Sequence, residues 1–150
     1  MATVELRLVG LYATIQVAIP DEMFPNVTVQ TVLDYAVKQD PNLTVMQSQT
    51  NGGSLVSVAY YWATPPNSLS GKTRNAGQYL ITEDLTGPTV IGWQYYIERP
   101  DPVNPAYHTL ISKTNLTEPP LRFKIPSKSE KVQAGDRIIY RCVAVGVKPR

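Results

Sequence analysis

One cysteine and one histidine are all this chain has of the side chains that most often bind soft metals or serve as nucleophile and base. Cys142 alone cannot close an intrachain disulfide, and no cysteine cluster exists for zinc or an iron–sulfur group. His108 alone does not make a structural zinc site of the usual composition. Charge is sparse as well. Only 17% of the residues are charged, against roughly 25% in an ordinary globular protein, and the net charge is +2. No apolar run approaches the roughly 20 residues of a membrane span. No basic-then-apolar N-terminal segment of the secretory kind is visible. These absences predict a soluble protein without cofactor, cytoplasmic by default and without membrane contact. A virion or surface assembly is the other setting in which this composition is common.

Thr, Asn, Gln and Ser carry the polarity instead, together with 13 prolines and nine tyrosines. That balance suits a β-rich chain with long ordered loops. At 150 residues the chain is expected to form one domain, 1–150, large enough to bury a core.

The stretch from Val4 to Gln39 organises the rest. Val4–Val9 alternates with Val4, Leu6 and Leu8 on one face, and Tyr12–Ile19 does so with Ile15, Val17 and Ile19. With Gly10-Leu11 as the turn between them, they predict a hairpin. Residues 20–26, with two prolines, read as loop. Val29, Val32, Leu33, Ala36 and Val37 then fall on one helical stripe, predicting a helix over Val29–Gln39 that faces the core. Thr28 is placed to cap its first turn and Lys38 suits the negative end. Asp40-Pro41 ends it, because the residue before proline avoids the helical region. Valine is a mediocre helix former, so tertiary packing must hold this helix.

After the helix the chain reads as strand and loop. Residues 42–54 are polar and end in the turn signal Asn51-Gly52-Gly53, predicting a loop. Strands are predicted over Leu55–Ala63, Gln78–Thr82, Val90–Glu98, Thr109–Ile111, Leu121–Ile125 and Arg137–Val147, the last apolar enough to be central. Residues 64–76 and 99–120 read as long loops, which are often functional.

Charge is unevenly spread. Residues 121–150 hold eight basic and two acidic side chains, a balance of +6; residues 1–120 balance at −4. A basic end can meet nucleic acid or an acidic neighbour. The charges are spaced rather than clustered, so a Lys- and Arg-studded strand edge that resists aggregation is the better expectation, and nucleic acid is disfavoured.

Hairpin, helix and several further strands follow the β-grasp order, in which a mixed sheet wraps one helix. The fold class expected is therefore α+β, β-grasp-like, with long loop insertions. Four segments carry a closer resemblance: Thr31-Val32-Leu33-Asp34-Tyr35-Ala36, Gly77-Gln78-Tyr79-Leu80-Ile81-Thr82, Gly92-Trp93-Gln94-Tyr95-Tyr96-Ile97 and Val132-Gln133-Ala134-Gly135-Asp136-Arg137-Ile138. They are similar to the helix, the glycine–aromatic strand, the tryptophan–tyrosine strand and the Gly-Asp element before the final strand of transcobalamin-like β-grasp domains. In the corrinoid-carrying members this domain covers a ligand held by a second domain. This chain shows no such second domain, so corrinoid binding is not carried over, and fold resemblance alone says little about function.

Catalytic signatures fail on inspection. Ser70-Gly71-Lys72-Thr73 matches the end of a P-loop, but Pro66 stands where the upstream glycine belongs and a strand follows instead of a helix. His108, beside Tyr107 in a proline-rich stretch, has no sequence-visible triad partners. Glu83-Asp84 and Glu98…Asp101 lie at strand ends and read as solvated turns. Cys142, inside Ile138-Ile139-Tyr140-Arg141-Cys142-Val143, reads as a small buried hydrophobe. A sulfur-carrier role needs a C-terminal Gly-Gly that this chain does not have. No enzymatic activity is expected.

The aromatic residues remain. Tyr60, Tyr61, Trp62, Trp93, Tyr95 and Tyr96 lie on two predicted strands, and alternation sends Tyr61 and Tyr96 to the faces opposite their neighbours. One set can pack on the helix while the other meets a partner, since exposed Tyr and Trp suit interfaces and flat ligands. With Tyr107 and His108 they form the candidate binding set. The expectation is a protein-interaction or assembly module, working through an aromatic sheet face or a sheet edge, as a homo-oligomer or accessory subunit. The alternative is a small-molecule-binding domain with an aromatic pocket under residues 64–76 and 99–120.

Overall fold

In the computed structural model, the described residues are 1–48, 55–66, 75–84, 89–104, 106, 108–112 and 130–147. Strands β1 (Ala2–Leu8) and β2 (Ala13–Ile19) form an antiparallel hairpin. Residues 9–12 turn the chain, with positive φ at Gly10 and Tyr12, so the turn is wider than the expected Gly10-Leu11. A short 3-10 turn, Asp21–Met23, leads to α1 (Val29–Gln39). Next come β3 (Leu43–Gln47), β4 (Leu55–Trp62), β5 (Gly77–Thr82), β6 (Thr89–Pro100), β7 (His108–Ser112) and β8 (Arg137–Val147).

The helix spans its predicted residues. The Thr28 hydroxyl accepts from the Thr31 amide, and the Thr31 hydroxyl accepts in return from the Thr28 amide. Val29, Val32, Leu33 and Ala36 are buried. Val37, expected on the same stripe, is 40% exposed. The helix packs on β1, β2 and β3, and Val37 lies at the margin of that contact.

The strands make two sheets rather than one. The first has the order β2-β1-β8-β6-β7, with β1 and β8 parallel and the other pairs antiparallel. The second is antiparallel, with order β3-β4-β5. Strand β3 occupies residues expected to be loop. Its pairing with β4 forms the ladder, and the polar Thr44 and Gln47 that hid it are tolerated because β3 is an edge strand. The expected strand over Leu121–Ile125 lies outside the described residues. Strand β8 is central, as its apolar content predicted, so its arginines do not stud a sheet edge.

Val4, Leu6 and Leu8 of β1, Val17 and Ile19 of β2, Ile97 of β6 and Ile138 of β8 face α1 and the second sheet. Leu43, Leu55 and Val58 join the same buried cluster from the second sheet. The hairpin tip is tied to that sheet: Trp62 Nε1 donates to Leu11 O at 2.9 Å. A Cβ built on Gly10 would meet Ile81 Cδ1 at 2.8 Å, so glycine is needed for the approach as well as for its φ of +94°. At the opposite edge, the Gln39 side-chain amide donates to Ala18 O and accepts from Ala18 N, occupying part of the exposed edge of β2.

Candidate functional site: two outward sheet faces

Alternation separates each sheet into a face that meets the core and a face that does not. The other face of the five-stranded sheet is charged around Glu5, Arg7, Glu98 and Arg137, while Gln94 and Ile139 on that face are buried. Arg137 forms ion pairs with Glu5 at 2.6 Å and Glu98 at 3.2 Å; Arg7 reaches Glu5 at 2.9 Å and Gln16 donates to the same carboxylate. Arg141 lies over the Tyr96 ring at 5.6 Å. Of the basic C-terminal residues, Arg137 is thus neutralised by carboxylates from β1 and β6; Arg122, Lys124, Lys128, Lys148 and Arg150 lie outside the described residues.

The outward face of the three-stranded sheet is different. The registers Thr44↔Ala59↔Leu80, Met46↔Ser57↔Thr82 and Tyr61↔Gln78 place these eight side chains together. None is ionised at neutral pH. Met46, Tyr61 and Leu80 are 60%, 43% and 62% exposed. Leu80 lies opposite Ala59 and so diagonal to Tyr61, within reach of an aromatic side chain. Large apolar residues on both edge strands and the centre of one face make a patch on the order of a few hundred Å2, the size at which exposed apolar surface is often functional.

The aromatic candidates are thus divided. Trp93 and Tyr95 do not reach the surface. They are buried on the core side of β6 with Tyr140, at ring separations of 6.5 Å for Trp93–Tyr140 and 5.2 Å for Tyr95–Tyr140. Burial pushes the Tyr140 phenol well up; burial and then the charge of Glu130 push up that of Tyr95. Tyr60 and Trp62 are half-buried on the core side of β4, 5.0 Å apart. Tyr60 donates to Asp40 at 2.7 Å; burial first, then this carboxylate, raises its phenol above the ordinary value. Tyr61 is exposed on the apolar face and Tyr96 is half-buried on the charged one. Tyr107 lies outside the described residues. His108 is placed on β7, opposite Pro100.

Other sequence candidates take structural roles. Burial, then the charge of Glu83, pushes the Cys142 thiol up to about 11, against easy thiolate chemistry. Asp101 accepts from the amides of Val103 and Asn104, and these bonds hold its carboxyl below the usual range. Glu98 is ion-paired, and the Glu83 and Asp84 amides donate to Val56 and Ile91 carbonyls. The P-loop-like stretch lies outside the described residues. Asp136, quoted only for the Gly-Asp element, proves to be fully buried and takes a bidentate contact from Arg99 at 2.8 and 2.9 Å. Nothing in local spacing joins residues so far apart.

A surface cleft of about 610 Å3 lies between Asp21, Phe24, Pro25 and Asn26 on one side and Lys131, Val132, Gln133 and Ala134 on the other. Its described lining residues include none of the aromatic candidates. Comparison with protein-family models, with curated proteins and with solved structures gave no match. Among the described residues, no helix is long and apolar enough to cross a membrane.

Proposed function

We propose that this protein is a β-grasp-like, non-enzymatic assembly module that associates through the uncharged outer face of β3-β4-β5, with a second copy of the same chain as the occupant. The β-grasp assignment is supported by the hairpin–helix–strand order, the mixed five-stranded sheet and the helix packed on its inner side, the one α-helix among the described residues. The observation that carries the functional reading is the exposure of Met46, Tyr61 and Leu80 on one face. Interface cores favour Met and aromatic residues and are depleted in charge. A two-fold contact sets a surface against its own copy, so an ionised face would repel itself. Among the described residues this face carries no ionised side chain, whereas the other face does.

The patch is smaller than the roughly 800 Å2 per partner of a standard interface, so the association is weak and depends on concentration. Sedimentation velocity of the full chain from micromolar to near-millimolar concentration tests this. The expected result is a monomer–dimer equilibrium that Leu80→Glu abolishes, with unfolding stability changed by less than about 0.5 kcal/mol. A wild type that stays monomeric throughout, or a Leu80→Glu variant that still dimerises, overturns it.

The cleft between residues 21–26 and 131–134 supports the second reading, a small-molecule-binding domain. Its volume falls within the roughly 300–1,000 Å3 of ligand pockets. Among the described residues that line it, Phe24 is the only aromatic one, and none belongs to the aromatic set expected from the sequence.

A further inference from the structure

We propose that the open edge of β2 and the turn before it bind an extended peptide that ends in an apolar residue with a free carboxylate. Among the described residues, β2 is an outermost strand of the five-stranded sheet. Successive residues of an antiparallel strand turn their backbone groups alternately toward the paired strand and away from it. Gln39 takes both the N–H and the C=O of Ala18, so Ala18 faces away from β1. Its register partner Thr3 faces the other way, with its carbonyl accepting from Gly135. Two and four residues back along β2, Gln16 and Thr14 therefore also present an outward N–H and C=O. Both residues are exposed, and among the described residues nothing bonds these backbone groups. Open edges are usually guarded by charge or proline, and β2 holds neither.

A groove of about 390 Å3 opens where this edge begins, with Arg7, Val9, Gly10, Tyr12 and Thr14 in its wall. Val9 and Tyr12 are 46% and 53% exposed and give it apolar surface. Among the described lining residues Arg7 is the only charged one. It gives one nitrogen to Glu5, a carboxylate shared with Arg137, and keeps its other N–H groups for a ligand. Of the turn amides, those of Val9 and Leu11 are bonded, to Tyr140 O and Leu8 O, whereas those of Gly10 and Tyr12 have no partner among the described residues. A peptide running antiparallel to β2 ends at this turn and brings its carboxylate to Arg7 and the free amides. A parallel peptide would bring its ammonium group to Arg7 instead, a like charge. Strand addition and capture of a terminal carboxylate are both recurring modes of peptide recognition, and here they meet at one site. At the far end Gln39 closes the edge at Ala18, so the ladder is confined to Thr14 and Gln16 and the last few residues of the peptide make the contact.

The test titrates the full chain with the acetylated peptide Lys-Thr-Val-Thr-Val bearing a free C-terminal carboxylate, and with the same peptide amidated. Backbone amide NMR signals are followed through each titration. The expected result is a saturable shift at Gly10, Tyr12, Thr14 and Gln16, with the amidated peptide bound about ten-fold more weakly, the scale of a charge-assisted hydrogen bond. Arg7→Gln should bind the two peptides alike. Thr14→Pro removes one outward N–H at a position where an edge strand tolerates proline, and should abolish the Gln16 shift; if it does not fold, Arg7→Gln carries the test. Leu80→Glu, on the other sheet, should leave the titration unchanged. No saturable shift at these residues overturns the proposal. Equal affinity of the wild type for both peptides overturns the carboxylate assignment, and a response lost in Leu80→Glu places the peptide on the second sheet instead.

Discussion

The two sheets share one core but finish their outward faces differently. On the five-stranded sheet, Glu5, Arg7, Gln16, Glu98 and Arg137 link β1, β2, β6 and β8 across the surface. On the three-stranded sheet, the same kind of position holds Thr44, Met46, Ser57, Tyr61, Gln78 and Leu80, with no ion pair among them. Both are outward faces of amphipathic strands, so burial of the inner face does not explain the contrast. Ionised groups gain little from pairing in water but strongly oppose removal from it. The first face is therefore suited to solvent, and the second loses little by being covered. Gln94 and Ile139 are the exception on the first face, being almost fully buried.

The largest expected effect tests the support beneath the five-stranded sheet. Asp136→Ala removes a fully buried carboxylate that holds Arg99 at two points and accepts from the Gln133 amide at 2.8 Å. Breaking such a pair from one side should cost about 3 kcal/mol, read by urea denaturation. A loss near zero would mean that water replaces the carboxylate. Gly10→Ala comes next and tests the joint between hairpin and second sheet. The positive φ alone costs roughly 1–2 kcal/mol for a side chain with Cβ, and the contact with Ile81 adds to it. Because Trp62 holds the same turn, its fluorescence should shift with this variant.

Arg137→Gln breaks the ion pairs to Glu5 and Glu98, and the loss should be about 1 kcal/mol at low salt and shrink as salt screens the face. A loss that salt does not change would mean packing, not charge, is at work. Leu80→Glu is the complement: almost no change in stability, but loss of association. If instead Arg137→Gln abolished association and Leu80→Glu did not, the roles of the two faces would be reversed.

The last effect, absent at neutral pH, concerns Cys142. Its thiol is raised from 9.0 to about 11 in the folded chain. The folded state therefore holds its proton where the unfolded state has released it. Stability from this group is fully present below pH 9 and is lost as pH rises toward 11. Cys142→Ala should remove that part of the alkaline loss and leave the part due to the raised tyrosines. Thermal unfolding of the two proteins between pH 8 and 11 checks it.

Much of the fold was legible in the chain. The hairpin, α1 and β8 each rest on a local signal: alternation about a glycine, a stripe between Thr28 and Pro41, and a run of β-branched residues after Gly135-Asp136. The candidate site was legible only in part. Tyr61 and Leu80 look no different in sequence from Tyr95 and Ile97, yet one pair is exposed and the other buried.

Local periodicity thus determined which residues form the hairpin, the helix and the last strand, because these signals act over a few residues. Long-range pairing decided the rest: the split into two sheets, the central place of β8, the joining of Arg99 to Asp136, and which tyrosines face water. Alternation defines two faces for a strand, and only the packing of distant segments determines which of them is covered.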